Sequence, residues 1–268
     1  MWLRDHVRIA EAALELRGGD VGRSIFDRLR SGTEYAEVLA STGRGKRNTQ
    51  KATFDCIMRA RTLFLKGMLD ESAYYLGIAF HSISEATCPA VIQTYDANIR
   101  AETRRRHDAW LDHIASLTLP KASGSQFRTP RDMEKRLARL TQSNSPYSSL
   151  RTSVELCASV LDLTWRPATV QTEDEEKVIN EARRNMPGKQ MKTLVWVCAG
   201  LAVCLDLVAF SRTALWPSLA VGAAALWAGW GLIKSREKGK WVLEWYGLNS
   251  AEAVESEAPG RVRTLQRL

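Results

Sequence analysis

Residues 70–89 read DESAYYLGIAFHSISEATCP. Asp70 is a good N-cap, Pro89 cannot continue a helix, and nothing between them alternates in the two-residue period of a strand. The segment is predicted to be one helix. On it, His81 shares a face with Gly77, Glu85 and Cys88. His81 and Glu85 are four residues apart, so both side chains leave the same side of the helix and can grip one cation.

Working outward, strand alternation is absent from residues 1–163 and helical periodicity recurs instead. Asp5 is predicted to cap a helix reaching about Leu16, stopped by Gly18-Gly19. Residues 49–66 form a second long candidate. Residues 92–117 are long and charged, 120–130 read as a loop with two prolines, and 132–141 as a short helix. Leu150, Val154, Cys157 and Leu161 mark an apolar stripe at spacings of four, three and four. No element is assigned to residues 19–48. Residues 164–190 read as a charged linker, acidic at Glu173-Asp174-Glu175-Glu176 and basic at its end. The expected architecture for residues 1–163 is an all-α bundle of five to seven helices.

The chain has 268 residues, 45% hydrophobic and 25% charged, which excludes a disordered or collagen-like polymer. Its formal net charge is +8. Arg104-Arg105-Arg106 and the knot GRGKR at 43–47 are the densest basic runs, and no aromatic residues interleave with them as a stacking platform would need. Nucleic acid is therefore not the expected partner. GRGKR also lacks the glycine spacing and the hydroxyl of a phosphate-binding loop. Five irregularly spaced cysteines fit neither a disulfide framework nor a zinc ribbon, and read as reduced thiols.

Two C-terminal stretches are almost wholly apolar. Residues 193–211, TLVWVCAGLAVCLDLVAFS, carry one charge, Asp206; residues 213–233, TALWPSLAVGAAALWAGWGLI, carry none. Each has about the 20 residues that a helix needs to cross the hydrocarbon core. A transmembrane helical hairpin is predicted over 191–234, with a cytoplasmic tail over 235–268. Arg183, Arg184, Lys189 and Lys192 precede it, Lys234, Arg236, Lys238 and Lys240 follow it, and the turn holds Arg212 alone. The excess of basic residues on the outer flanks puts both ends in the cytoplasm. The N-terminus, MWLRDHVRIAEAAL, is too charged for a signal peptide, so the helical domain is expected on the cytoplasmic side of an inner or plasma membrane. The lipid bilayer is thus an expected partner. Gly222, Ala225 and Gly229 would allow close helix approach, hence homo-oligomers through the hairpin. Asp206 lies near enough to Arg212 to pair or snorkel at the outer interface.

The four histidines are His6, His81, His107 and His113. His6 shares a face with Ile9, Ala10 and Ala13. AYYLGIAFHSISEATCPAV at 73–91 resembles the central helix of the bacterial zinc-dependent phospholipase C family, in Tyr74-Tyr75, Leu76-Gly77, His81 and Pro89. DHVRIAEAALEL at 5–16 is similar to that family's first helix and places His6 on a metal-binding histidine. RHDAWLDHI at 106–114 resembles a further ligand segment and places His107 on its histidine. The resemblance covers about residues 3–118 and extends to the related single-strand-specific zinc nucleases.

The resemblance implies an all-α phospholipase C-like domain in which His6, His81, Glu85 and His107 hold one or two zinc ions, with Glu85 in the catalytic carboxylate position. It implies hydrolysis of a phosphodiester by a metal-bound hydroxide, with phospholipid head groups as substrate. The departures are specific. Glu85 replaces the family's bridging aspartate, Val91 and Leu111 replace two donors, and Trp2 sits behind Met1 where the family uses an N-terminal tryptophan. A trinuclear cluster cannot be rebuilt from this set. The alternative is a catalytically inactive scaffold whose hairpin anchors, oligomerises or perturbs the membrane.

Overall fold

The computed structural model describes residues 3–18, 22–41, 49–88, 97–117, 127–140, 145–168, 172–184, 227, 231, 237 and 239–248. Among these residues there are helices and no strands. The long ones are α1 (Leu3–Arg17), α2 (Arg23–Ser41), α3 (Thr49–Leu65), α4 (Leu69–Thr87), α5 (Ala97–Ser116), α6 (Pro130–Leu137), α7 (Pro146–Thr164) and α8 (Glu173–Arg184). The chain divides into two compact units, Met1–Thr169 and Val170–Leu268. The all-α expectation holds.

In the first unit, α4 packs against α2, α3, α7 and α1, while α1 also packs against α5 and α7. The core residues come from all of these: Ile9 and Ala13, Leu29, Ile57, Leu76 and Ile83, Leu111 and Ile114, Val154 and Leu161. The predicted stripe Leu150, Val154, Cys157 and Leu161 is buried throughout, together with Ser153, Ser159 and Thr164, so α7 is enclosed on most sides. Its C-terminus is tied to three other helices. The buried Arg61 of α3 donates to the Thr164 carbonyl at 2.8 Å and to that of Arg166, Trp165 Nε1 donates to Ser72 Oγ of α4 at 2.9 Å, and the Arg17 guanidinium stacks 5.4 Å from the Trp165 ring centre. A cation at the last carbonyls of α7 also complements that end of the helix dipole.

Three boundaries differ from expectation for local reasons. Asp5 does not cap α1; it lies inside the first turn and is buried at 1% exposure. Asp70 does not cap α4, whose N-cap is Met68; Asp70 accepts a hydrogen bond from Ser24 Oγ of α2 at 3.0 Å instead. The short sixth helix starts at Pro130 rather than at residue 132, because Thr129 and Asp132 form a reciprocal capping box and proline is tolerated at the first helical position. The end of α3 uses Gly67 at φ 78°, with Met68 N donating to Leu63 O at 3.0 Å and Gly67 N to Phe64 O at 2.9 Å, a Schellman stop.

Two whole elements were not expected. Residues 23–41, left without an element by the sequence pattern, form the 19-residue α2. The predicted linker over 164–190 contains α8, with four acids in its first turn and Arg183 and Arg184 in its last, each sign at the helix end that its charge stabilises. In the second unit a helical stretch over 239–245 buries Val242, Leu243 and Trp245.

Among the described residues no helix is long and apolar enough to cross a membrane. The predicted hairpin over 191–234 lies outside the described residues, apart from Trp227, which is helical and exposed, and Gly231. The tail over 249–268, Trp2 and Val91 lie outside them as well.

Candidate metal centre

The bundle brings α1, α2 and α4 together around two imidazoles. His6 on α1 and His81 on α4 are buried, at 1% and 5% exposure, and their rings tilt against each other with centroids 4.3 Å apart. Glu85 lies one turn beyond His81. The ligand atoms of His6, His81 and Glu85 all fall within 4.8 Å of one another. The expected face of α4 is real, and so is the face of α1, where His6, Ile9, Ala10 and Ala13 are all buried.

Hydrogen bonding sets the state of His6. Ser84 donates its hydroxyl proton to the His81 carbonyl at 2.8 Å. Its Oγ, 2.6 Å from His6 Nδ1, therefore accepts from the Nδ1–H. In the neutral ring this leaves the lone pair on Nε2. That nitrogen is buried and makes no well-directed hydrogen bond, although Glu85 Oε1 is 3.0 Å away and Glu37 Oε2 3.7 Å away. A lone pair facing carboxylate oxygens in a buried place calls for a positive charge between them, a proton on the ring or a metal ion.

The charges respond to this packing. Hydrogen bonding with the adjoining His6 ring holds the Glu85 carboxyl below its ordinary range, and burial opposes it. Burial pushes the His81 imidazole below its ordinary value, His6 adds to the effect, and the hydrogen bond that His81 donates to Glu37 works against both. A lowered His81 stays neutral at physiological pH, which is the form that binds metal. Glu85 is half in solvent, its side chain 52% exposed, so water reaches the cluster from that side.

Glu37 on α2 was not among the sequence candidates. It accepts from His81 Nε2 at 2.7 Å. The signal was present: Leu29, Thr33 and Ala36 are buried on one stripe of α2, and Glu37, four residues after Thr33, puts an acid on that stripe.

The cluster does not take in the fourth predicted ligand. His107 on α5 is buried, with Nδ1 3.7 Å from Asp5 Oδ2 and its ring 5.9 Å from that of Trp110. Leu111, at the position where the resemblance implies a second donor, is fully buried core. Among the described residues, the metal-capable group is His6, His81 and Glu85. Behind it, Thr87 Oγ1 meets Ser153 Oγ at 2.5 Å and fastens the end of α4 to α7. Cys56, Cys88 and Cys157 are free thiols; burial raises all three, Cys157 furthest. Cys198 and Cys204 lie outside the described residues.

No protein-family model matches the chain, and comparison with curated proteins and with solved structures gives no match either.

Proposed function

We propose that this chain is a membrane-anchored, metal-dependent phosphodiester hydrolase of the phospholipase C type. The supporting observation is the convergence of His6, His81 and Glu85 from two helices within 4.8 Å, two of them buried and one facing water. Two neutral imidazoles and a carboxylate suit zinc. An ion held there would polarise a phosphoryl oxygen and lower the pKa of a bound water. Ser84 orients His6, burial keeps His81 neutral, and Glu85 stands where substrate and solvent enter. Phospholipid head groups are the proposed substrate, because the hairpin over 191–234 would hold the first unit at a bilayer surface on the cytoplasmic side.

A second reading has its own observation. With His107 turned to Asp5 and Leu111 in the core, no donors for further ions join the cluster among the described residues. Phosphoryl transfer would then lack the electrostatic stabilisation that neighbouring ions supply. On this reading the domain is a scaffold, and the hairpin anchors, oligomerises or perturbs the membrane.

Elemental mass spectrometry of the detergent-purified chain, beside His81→Ala, separates the two when followed by a phospholipid hydrolysis assay. Stoichiometric zinc that disappears in the variant, together with head-group release that disappears with it, is the expected result. Bound zinc without hydrolysis leaves the scaffold reading. A chain that takes up no zinc after loading removes the metal centre altogether.

A further inference from the structure

We infer that Glu37 is the fourth donor of the centre, so that His6, His81, Glu37 and Glu85 together hold one divalent transition-metal ion. This rests on the reading of His6, His81 and Glu85 as a metal centre. The geometry is direct. Glu37 Oε2 lies 2.7 Å from His81 Nε2 and 3.7 Å from His6 Nε2. It is thus close to both imidazole nitrogens at once. His6 Nε2 is fully buried, makes no well-directed hydrogen bond, and faces this carboxylate and that of Glu85, whose Oε1 is 3.0 Å away.

Charge balance points the same way. A divalent ion held by two neutral imidazoles and Glu85 alone would leave one net positive charge between buried rings. Glu37 as a second carboxylate makes the centre neutral, and a neutral group is far cheaper to keep in a low-dielectric site. Two nitrogens and two carboxylate oxygens suit zinc, and also cobalt or manganese, better than copper(I) or a thiolate-bound ion.

The fold builds this placement. Gly32 on α2 and Gly77 on α4 let the two helices meet backbone to backbone: a Cβ on Gly77 would run into the Leu29 carbonyl and stand 2.9 Å from Thr33 N, and one on Gly32 would run into the Tyr74 carbonyl. Thr33 Oγ1 donates across the contact to Gly77 O at 3.2 Å. Glu37 is five residues beyond Gly32 and His81 four beyond Gly77. Both therefore emerge just past the crossing, on the two sides of the same gap. Glu34, on the same helix, is engaged instead with Arg30 at 2.8 Å.

The test is a zinc titration of the full chain in detergent, in competition with a chromophoric chelator, and a Co²⁺ titration read by its d–d absorption. Glu37→Gln should weaken zinc by roughly 100-fold or more, since loss of even an outer partner costs ~10–100-fold. It should also change the Co²⁺ spectrum, while Glu34→Gln leaves both unchanged. Wild type that binds the ion, with Glu37→Gln equal to it in affinity and spectrum, overturns the role of Glu37 and leaves the three-residue centre standing. Wild type that binds no ion overturns both readings. If Glu37→Gln fails to fold by circular dichroism, Glu37→Asp decides. It keeps the charge one methylene short, so it must bind Co²⁺ with an altered spectrum; an unaltered one overturns the inference.

Discussion

Ser84 is a small residue with a large consequence, because its single proton is committed to the His81 carbonyl and its oxygen is left to receive His6 Nδ1–H. Ser84→Ala leaves a buried ring N–H without an acceptor. The expected destabilisation is ~1–3 kcal/mol, read from chemical denaturation, with an unchanged denaturant slope. Zinc affinity should fall with it, since the ring loses the bond that selects its tautomer. His81 gives a pH dependence whose sign is fixed. Its folded value is lowered, chiefly by burial and then by His6. As the pH falls through about 6.5, the unfolded chain takes up that proton before the folded one does. The unfolded state then binds more protons, so stability is whole above that pH and declines on acidification toward the folded value. Glu85, lowered beside His6, acts in the same direction at lower pH: its contribution is present above its ordinary value and is lost as the pH falls through the folded one. Thermal midpoints of chelator-treated protein should drop on acidification below about pH 6.5. His81→Gln should flatten that first decline and leave the lower one in place. A midpoint that rises on acidification contradicts the burial of His81 and the hold of His6 on Glu85.

At the scale of elements, the crossing of α2 and α4 positions the centre. Gly77→Ala places a methyl group against backbone atoms of Leu29 and Thr33, which no side-chain rotation can relieve. A cost of about 3 kcal/mol is expected, and the helices must separate to accept it. The separation should carry Glu37 away from His81, so zinc affinity and thermal midpoint fall together in this variant. A variant that loses stability and keeps wild-type affinity would show that the crossing does not set the site. The same pair of helices shows what could be read in advance. The helix over 69–87 was legible because its lack of strand alternation, its proline stop and its His81–Glu85 spacing are local, although Asp70 does not cap it, and so was the α1 face behind His6. Helix α2 was not, because its apolar positions are broken by Gly32 and Thr33, buried against α4, and by Glu37, half-buried beside His81. Gly32 and Thr33 make the contact with α4 and Glu37 is the donor inferred for the centre, so the features that hid the helix are the ones that the proposed site uses. His107 misled for the converse reason. Its spacing within RHDAWLDHI is local, but its partner Asp5 is a hundred residues away, next to His6 in sequence and directed elsewhere.

For the whole molecule, the division after Thr169 would separate the proposed chemistry from the proposed anchoring. Every residue of the candidate centre lies in the first compact unit, and every apolar stretch proposed for the membrane lies in the second. The four basic residues before the proposed hairpin and the four after it argue that protease added to inside-out vesicles will digest the 30.0 kDa chain. The same protease outside right-side-out vesicles should leave it whole. Digestion from the outside alone would reverse the topology and separate the site from a cytoplasmic substrate. Truncation after Thr169 then tests what the anchor contributes. The truncated chain should stay in solution without detergent and bind zinc within a few-fold of the full chain, because the ligands and the α2–α4 crossing are all retained. If the hydrolase reading holds, its activity on a dispersed short-chain phospholipid should match that of the full chain. Its activity on vesicles should fall by roughly 100-fold, since tethering converts an encounter in solution into one at high local concentration. Equal loss on both substrates would mean that the second unit supports the fold of the site. Equal retention on both would mean that the membrane segment serves some purpose other than presenting the centre to lipid.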